Sequence, residues 1–123
     1  MYKKQLIGKR GENLVCEYLE KNNYIILEKN FSCVQGEIDI IAFDKGKEEL
    51  VFFEVKTRTN FNYGFPAEAI NIQKQKHMIN SVKYYLYLKK MENVFVRIDV
   101  VEVVVNGKEY KLNHLVGVDL KNF

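Results

Sequence analysis

The sequence GEIDIIAFDKGKEELVFFEVKT, residues 36–57, decides the fold. Two runs rich in β-branched and aromatic residues flank a short polar turn that contains a glycine, which is the pattern of a β-hairpin. The dipeptide Gly46-Lys47 fits a two-residue type II′ loop with glycine in the first position. This turn predicts that Asp39 lies directly across from Glu54.

The predicted pairing gathers charged side chains on one face of the hairpin. Side chains alternate along a strand, so Glu37, Asp39, Glu54 and Lys56 share a face, with Glu37 across from Lys56. The other face is apolar and consists of Ile38, Ile40, Val51, Phe53 and Val55. Opposed side chains have Cβ atoms roughly 5 Å apart, and two carboxylates at that distance repel each other unless a cation lies between them. Mg²⁺ is the natural candidate, because it needs only one or two protein carboxylates.

Four motifs occur in a fixed order along the chain. They are GKRGE at residues 8–12, GEIDIIA at 36–42, FFEVKTR at 52–58 and RIDVV at 97–101. Together they resemble the YraN family of uncharacterised bacterial proteins, and the resemblance extends from about Gly8 to Leu120. An Asp on one strand followed by Glu-x-Lys on the next resembles the PD-(D/E)xK nuclease superfamily. The YraN family is itself thought to be similar to archaeal Holliday-junction resolvases.

The resemblance implies a fold and a site. The fold would be α/β and restriction-endonuclease-like, a three-layer arrangement with a central mixed sheet and flanking helices. Asp39, Glu54 and the backbone carbonyl of Val55 would bind Mg²⁺ or Mn²⁺, and Lys56 would orient the attacking water or stabilise the transition state. Glu12 holds the position of a metal-site Glu on the first helix of the related resolvases. Those resolvases work as dimers, so a homodimer is also an expectation.

Composition sets the outer limits. The chain has 123 residues, and residues 1–123 suffice for one domain with a single core. The hydrophobic content of 47% argues against disorder. A net charge of +3 permits a nucleic-acid partner without requiring one. Two cysteines form no disulfide framework or zinc spacing. Since no run is long enough to span a membrane and no signal peptide is visible, we expect a cytoplasmic protein.

The flanking segments predict the remaining elements. Apolar residues at helical spacing predict a first helix over Lys4–Lys21 and a second over Ile72–Lys90, with Asn71 as its N-cap. A β-branched run predicts a strand over Val94–Val105, parallel to a member of the hairpin. The dipeptide Asn106-Gly107 then predicts a second hairpin.

Nucleic-acid contacts are predicted around the hairpin. DNA is the expected partner, with RNA as the alternative. The residues assigned to this contact are Lys9, Arg10, Arg58, Gln73, Lys74 and Lys76. The aromatic side chains of the following loop, Phe61, Tyr63 and Phe65, could stack on bases, but capping of the core is the favoured interpretation for them.

Three hypotheses for function follow. The first is a Mg²⁺-dependent nuclease that acts on branched or damaged DNA. The second is a nucleic-acid-binding module that keeps the fold without catalysis. The third is a small α/β domain whose hairpin charges form an ordinary cross-strand network. Arg97 and Asp99 are interpreted as a structural ion pair, His77 as a surface residue and not a ligand, and His114 as incidental.

Overall fold

The structure, a computed structural model, describes residues 2–59 and 72–119. The elements in order are α1 (Tyr2–Lys21), β1 (Tyr24–Cys33), β2 (Gly36–Asp44), β3 (Glu49–Arg58), α2 (Ile72–Leu88), β4 (Val96–Asn106) and β5 (Glu109–Leu115). Both helices, the first hairpin and the late strand were predicted, although α2 ends two residues earlier than expected. The predicted N-cap Asn71 and the loop aromatics lie outside the described residues.

The strands form one mixed sheet in the order β1-β2-β3-β4-β5. β3 and β4 are parallel, and the other neighbouring pairs are antiparallel. A parallel pair needs a crossover connection, which contains α2. The prediction of a mixed sheet with a crossover after the Glu-x-Lys strand is confirmed.

A helix packs on each face of the sheet, which makes three layers. α1 contributes Val15 and Leu19 to the core on one face, and α2 contributes its own buried residues to the core on the other. Neighbouring residues of β3 go to opposite cores, since Phe52 packs under α2 and Phe53 under α1. The α/β fold class is confirmed.

Neither helix of the described segments is both long and apolar enough to cross a membrane.

The β2–β3 hairpin has the predicted register but a different turn. Ile40 pairs with Phe53, which is the alignment that places Asp39 level with Glu54. The strands end at Asp44 and Glu49, so the turn has four residues and the predicted two-residue loop is wrong. Asp44 causes the difference, because its Oδ1 accepts hydrogen bonds from the N–H groups of Gly46 at 3.0 Å and Lys47 at 3.2 Å. Such local side-chain bonds stabilise turns.

The second hairpin confirms the Asn106-Gly107 signal with a one-residue correction. Asn106 pairs with Glu109 and is the last residue of β4, so the turn itself is Gly107-Lys108. Gly107 adopts a left-handed conformation with φ of 63°, which glycine tolerates without steric cost.

A buried charge network centred on Arg97 links every strand of the sheet. The guanidinium donates to Asp99 at 2.9 and 3.0 Å, to Asp44 and Glu49 at 2.8 Å, and to the hydroxyl of Tyr24 at 2.8 Å. The network continues through β5, because Nε2 of His114 lies 2.7 Å from Asp99.

His114 completes the network towards α1. An ionised carboxylate can only accept, so Nε2 of His114 donates to Asp99. Nδ1 of the same ring forms a hydrogen bond of 2.8 Å with the Tyr18 hydroxyl. Burial works against the ionisation of Asp99, but hydrogen bonds from His114 and Arg97 outweigh it and hold the pKa of Asp99 below its usual value. The Arg97–Asp99 ion pair was predicted, whereas the interpretation of His114 as incidental is wrong.

Loss of the Arg97 charge should destabilise the protein strongly. Arg97→Met leaves the buried carboxylates of Asp44 and Asp99 without their cation, and removal of one partner of a buried pair typically costs about 3–5 kcal/mol. Urea unfolding at neutral pH measures the loss. Arg10→Met is the control, because Arg10 makes an exposed hydrogen bond to the carbonyl of Gly107 and should cost about 1 kcal/mol or less. Equal losses in both variants would contradict the central role of Arg97.

Candidate functional site

β2 and β3 stop pairing before either strand ends. Their ladder ends at the pair Ile40 and Phe53, and beyond it residues 36–39 of β2 and 54–58 of β3 continue without pairing to each other. We call this gap the fork. There the side chain of Asp39, and not the backbone of β2, accepts a hydrogen bond from β3.

Asp39 turns into the fork because β2 is irregular at this residue. Ile38 packs in the core under α2 and Ile40 in the core under α1, although residues two apart in a strand normally share a face. The predicted common face for Ile38 and Ile40 is therefore wrong. Between them, Oδ2 of Asp39 accepts a hydrogen bond from the backbone N–H of Val55 at 2.8 Å. Asn30 of neighbouring β1 has a positive φ of 53°, so the irregularity spans both strands.

Glu54 is the second carboxylate of the fork and is only 6% exposed. Burial first, and the negative charge of Glu54 second, raise the pKa of Asp39 from its usual 3.8 to about 7. The hydrogen bond from Val55 acts in the opposite direction but does not compensate. Ionisation of both carboxylates is therefore costly, which is typical of two acids that share one site. The structure thus brings together the two carboxylates that the hairpin register predicts.

Two lysines flank Glu54. Lys74, in the first turns of α2, contacts Oε2 of Glu54 through its ammonium, and Nζ of Lys56 lies 3.7 Å from the same oxygen. Burial and the neighbouring Lys74 lower the pKa of Lys56. Burial also opposes the charge of Lys74, but the Glu54 carboxylate outweighs it and raises the pKa of Lys74. The predicted position of Glu37 across from Lys56 is not observed, because the β2–β3 ladder ends at Ile40 and Phe53. Lys56 contacts Glu54 instead.

Glu12 approaches the fork from α1. The helix lies close to β3 at Gly11, where an added Cβ would fall 1.9 Å from Oγ1 of Thr57. Glu12 is half-buried, and burial raises its pKa even though it has a hydrogen bond with Asn30. The charge of Glu54 adds to this increase, so Glu12 lies within the electrostatic field of the fork.

An open cavity of about 390 Å³ gives access to the fork on the α2 side. It is lined by Gly36, Glu37, Asp39, Glu54, Gln73, Lys74, His77 and Met78. Gln73 and Lys74 were predicted to lie near the catalytic residues, whereas His77, which is exposed as predicted, was not expected at the site. Helical spacing could have found it, because residues three and four apart share a helix face and His77 follows Lys74 by three.

The other predicted nucleic-acid contacts do not line this cavity. Arg58 forms an ion pair with Glu102 at 3.0 Å, and Lys76 is exposed on α2. Lys9 lines a separate surface depression along α1, and Arg10 reaches the β4–β5 turn. Only Gln73 and Lys74 of this set line the cavity.

The donor set of the fork fits a hard divalent cation. Asp39 and Glu54 offer carboxylate oxygens. The N–H and C=O of one strand residue point to the same side, so the carbonyl of Val55 also faces the fork. Within residues 2–59 and 72–119, no three His, Cys, Asp or Glu side chains form a metal-binding group. Two carboxylates and a carbonyl suit Mg²⁺, because this ion keeps several waters.

Comparison with known proteins yields a family. The profile described as "Uncharacterised protein family UPF0102" matches residues 11–103. The UPF0102 protein CPE1705 of Clostridium perfringens (strain 13 / Type A) is 46% identical over 112 residues, which cover 89% of each chain. The UPF0102 protein TTE1452 of Caldanaerobacter subterraneus subsp. tengcongensis is 40% identical over 117 residues, covering 93% of this chain and 94% of that one.

A solved structure shows a weaker likeness. The SPO1766 protein of unknown function from Silicibacter pomeroyi is 13% identical, with coverage of 94% of this chain and 76% of that chain and a TM-score of 0.42. This score is too low for the likeness to bear on fold or function.

Gly11→Ala should destabilise the contact between α1 and β3. The new methyl group would clash with Thr57, and such overpacking typically costs about 1–3 kcal/mol. Gly8→Ala is the matched control in the same helix, because a Cβ there meets no described atom within 4 Å. This substitution should raise the free energy of unfolding by up to about 1 kcal/mol, since alanine is more stable than glycine inside a helix. Thermal unfolding of both variants tests this, and similar melting temperatures would contradict the close approach.

Asp39→Asn should stabilise the protein at alkaline pH in EDTA. Asp39 has a folded pKa of about 7 and a usual value of 3.8, so the folded state binds the extra proton and stability falls as the pH rises through this window. Asparagine removes the charge but keeps an oxygen for the Val55 N–H. We expect a gain on the order of 2 kcal/mol at about pH 8 that disappears near pH 4, measured by urea unfolding.

Asp44→Asn is the control of opposite sign. Burial disfavours ionisation of Asp44, but Arg97 and the turn N–H groups outweigh it and lower its pKa. This variant should therefore lose stability at the same pH. A loss of stability in both variants would refute the repulsion between Asp39 and Glu54.

Proposed function

The chain belongs to the uncharacterised protein family UPF0102, and we propose that it is a nucleic-acid-binding protein with a Mg²⁺-dependent endonuclease site at the fork. Its reaction would be hydrolysis of a phosphodiester bond, with branched or damaged DNA as the expected substrate class. We also propose that the fold belongs to the PD-(D/E)xK restriction-endonuclease-like superfamily. The Asp on β2, the Glu-x-Lys on β3 and the helix that crosses over afterwards support this assignment.

The observation that carries the proposal is the pair formed by the partly buried Asp39 and the buried Glu54. Two carboxylates from neighbouring strands lie level with each other at an open cavity, and their shared environment raises the pKa of Asp39. Titratable groups that are perturbed by burial and by a specific charge, and that lie in a cleft, are typical of functional sites. An ordinary cross-strand network would pair each carboxylate with a cation, and among residues 2–59 and 72–119 no ion pair includes Asp39.

Asp39, Glu54 and the carbonyl of Val55 would hold the Mg²⁺ ion. A bound divalent ion supplies a more acidic water and polarises the phosphoryl group. Lys56 lies beside Glu54, and its ammonium can stabilise the negative charge that develops on the phosphate. Glu12 is close enough to influence the fork electrostatically and can orient a water from the α1 side.

The nucleic acid would approach from the side of the cavity. Lys74 and Gln73 lie at the start of α2 and line the cavity, and Lys76 is exposed on the same helix. Arg58 follows Lys56 on β3 and pairs with Glu102. Lysine and arginine contacts to phosphates position a nucleic acid without a requirement for sequence. The net charge of the chain is only +3, so the proposed phosphate contacts are limited to the residues near the cavity. DNA is the proposed partner, RNA the alternative, and a homodimer is an extension of the same proposal.

One observation favours a second candidate, a nucleic-acid-binding module without catalysis. The ammonium of Lys74 already contacts Glu54, so that carboxylate has a positive partner before any metal binds. A protein that uses the fork only as an ion-pair network would bind nucleic acid and leave it intact.

Cleavage assays separate the two candidates. A panel of labelled four-way junction, flap, single-stranded, duplex and RNA substrates is incubated with Mg²⁺ or Mn²⁺, and initial rates are compared. We expect metal-dependent cleavage that falls roughly 100-fold or more in Asp39→Asn and in Lys56→Met, because each removes a group that acts on the transition state.

Glu48→Gln is the matched control. It removes an exposed carboxylate at the turn of the same hairpin and should leave the rate unchanged. Binding of the panel without cleavage would favour the non-catalytic module, and cleavage that persists in Asp39→Asn would contradict the assigned site.

A further inference from the structure

Lys74 and a divalent cation need the same carboxylate. The ammonium of Lys74 contacts Oε2 of Glu54, and Oε2 is also the oxygen nearest to Lys56. Glu54 is buried and therefore has little freedom to offer different oxygens to different partners. Like charges within a few ångströms repel strongly in a partly buried site. A cation at the fork must therefore displace the Lys74 ammonium or bind less tightly in its presence.

The positions of the two lysines differ in a way that matters here. Lys56 is on the same strand as Glu54 and two residues away, so it stays beside the fork. Lys74 reaches Glu54 from α2 across the cavity, and its four-carbon side chain is flexible. Its side chain lines the opening on the same side as Gln73 and His77, where a nucleic-acid phosphate would lie. A short movement would therefore take the ammonium from Glu54 to a phosphate.

We propose that Lys74 is an exchangeable counter-ion, which holds Glu54 before a divalent cation binds and transfers to the phosphate of the nucleic acid afterwards. This inference rests on the proposed function. It makes Lys74 a positioning residue that couples cation binding to nucleic-acid binding. By linkage, the coupling is reciprocal, so a phosphate that attracts Lys74 also frees the site for the cation.

The substitution Lys74→Met gives two effects of opposite sign. Because the Lys74 ammonium no longer competes for Glu54, the variant should bind Mn²⁺ roughly tenfold more tightly than the wild type does. A charge-assisted hydrogen bond contributes enough free energy to account for about a tenfold change in affinity. Nucleic-acid binding in Ca²⁺, measured by fluorescence anisotropy with a four-way junction, should weaken severalfold because a phosphate contact is lost. Isothermal titration with Mn²⁺ in the absence of nucleic acid provides the first readout.

Lys83→Met is the matched control. It removes the same charge from an exposed position of the same helix and should change neither affinity. Lys74→Arg keeps the cation and should restore nucleic-acid binding while leaving Mn²⁺ affinity near that of the wild type. Circular dichroism melting of every variant verifies folding.

The outcomes separate this inference from the proposed function. If Mn²⁺ binds the wild type and binding depends on Asp39, but Lys74→Met binds it no more tightly, the counter-ion role is wrong and the metal site stands. If Mn²⁺ binds neither protein, both proposals fail. Tighter Mn²⁺ binding with unchanged nucleic-acid binding would also overturn the transfer to phosphate.

Discussion

The hydrogen bond between the Val55 N–H and the Asp39 carboxylate replaces the next rung of the β2–β3 ladder. A backbone donor inside a sheet needs an acceptor, and beyond Ile40 and Phe53 the backbone of β2 no longer provides one. The side chain of Asp39 takes this role, so the strands can part without leaving the donor unsatisfied. The same bond holds the carboxylate at the base of the fork. One interaction therefore fixes both the strand geometry and the position of a candidate metal ligand.

Two aspartates, the buried Asp99 and the partly buried Asp39, show how environment separates structure from function. Asp99 receives hydrogen bonds from Arg97 and His114, and these hold its pKa below the usual value despite burial. Asp39 is partly buried beside Glu54, and burial together with the Glu54 charge raises its pKa to about 7. Both lie near the middle of the sheet, and residue type alone does not distinguish them. The Arg97 network ties the strands together, whereas the carboxylate pair of Asp39 and Glu54 is located at the cavity, where a ligand can reach it.

Much of the fold followed from local signals in the sequence. The hairpin register could be predicted because alternation and the turn position constrain it together, and the parallel β3–β4 pair followed from a helix between two apolar runs. The turn itself was mispredicted, because the Asp44 carboxylate caps a four-residue loop and this cap outweighs the preference of glycine for a two-residue turn.

The site was predictable in part. Spacing and resemblance identified the residues that surround Glu54, but no periodicity reveals that β2 changes face at Asp39 or that Asn30 adopts a positive φ. His114 was missed for a related reason. Its partners, Tyr18 and Asp99, are distant in sequence, and only the folded sheet brings the three together.

The charge balance of the fork argues for a cation over a closed ion-pair network. Lys56 and Lys74 both approach Glu54, yet the pKa of Asp39 remains raised to about 7. The lysines therefore compensate one carboxylate and leave the other costly to ionise. Folded proteins tolerate such a local cost only when the rest of the structure supplies the stability, and the Arg97 network is well placed to do so. A divalent ion would relieve both carboxylates at once, which two lysines on the same oxygen do not achieve.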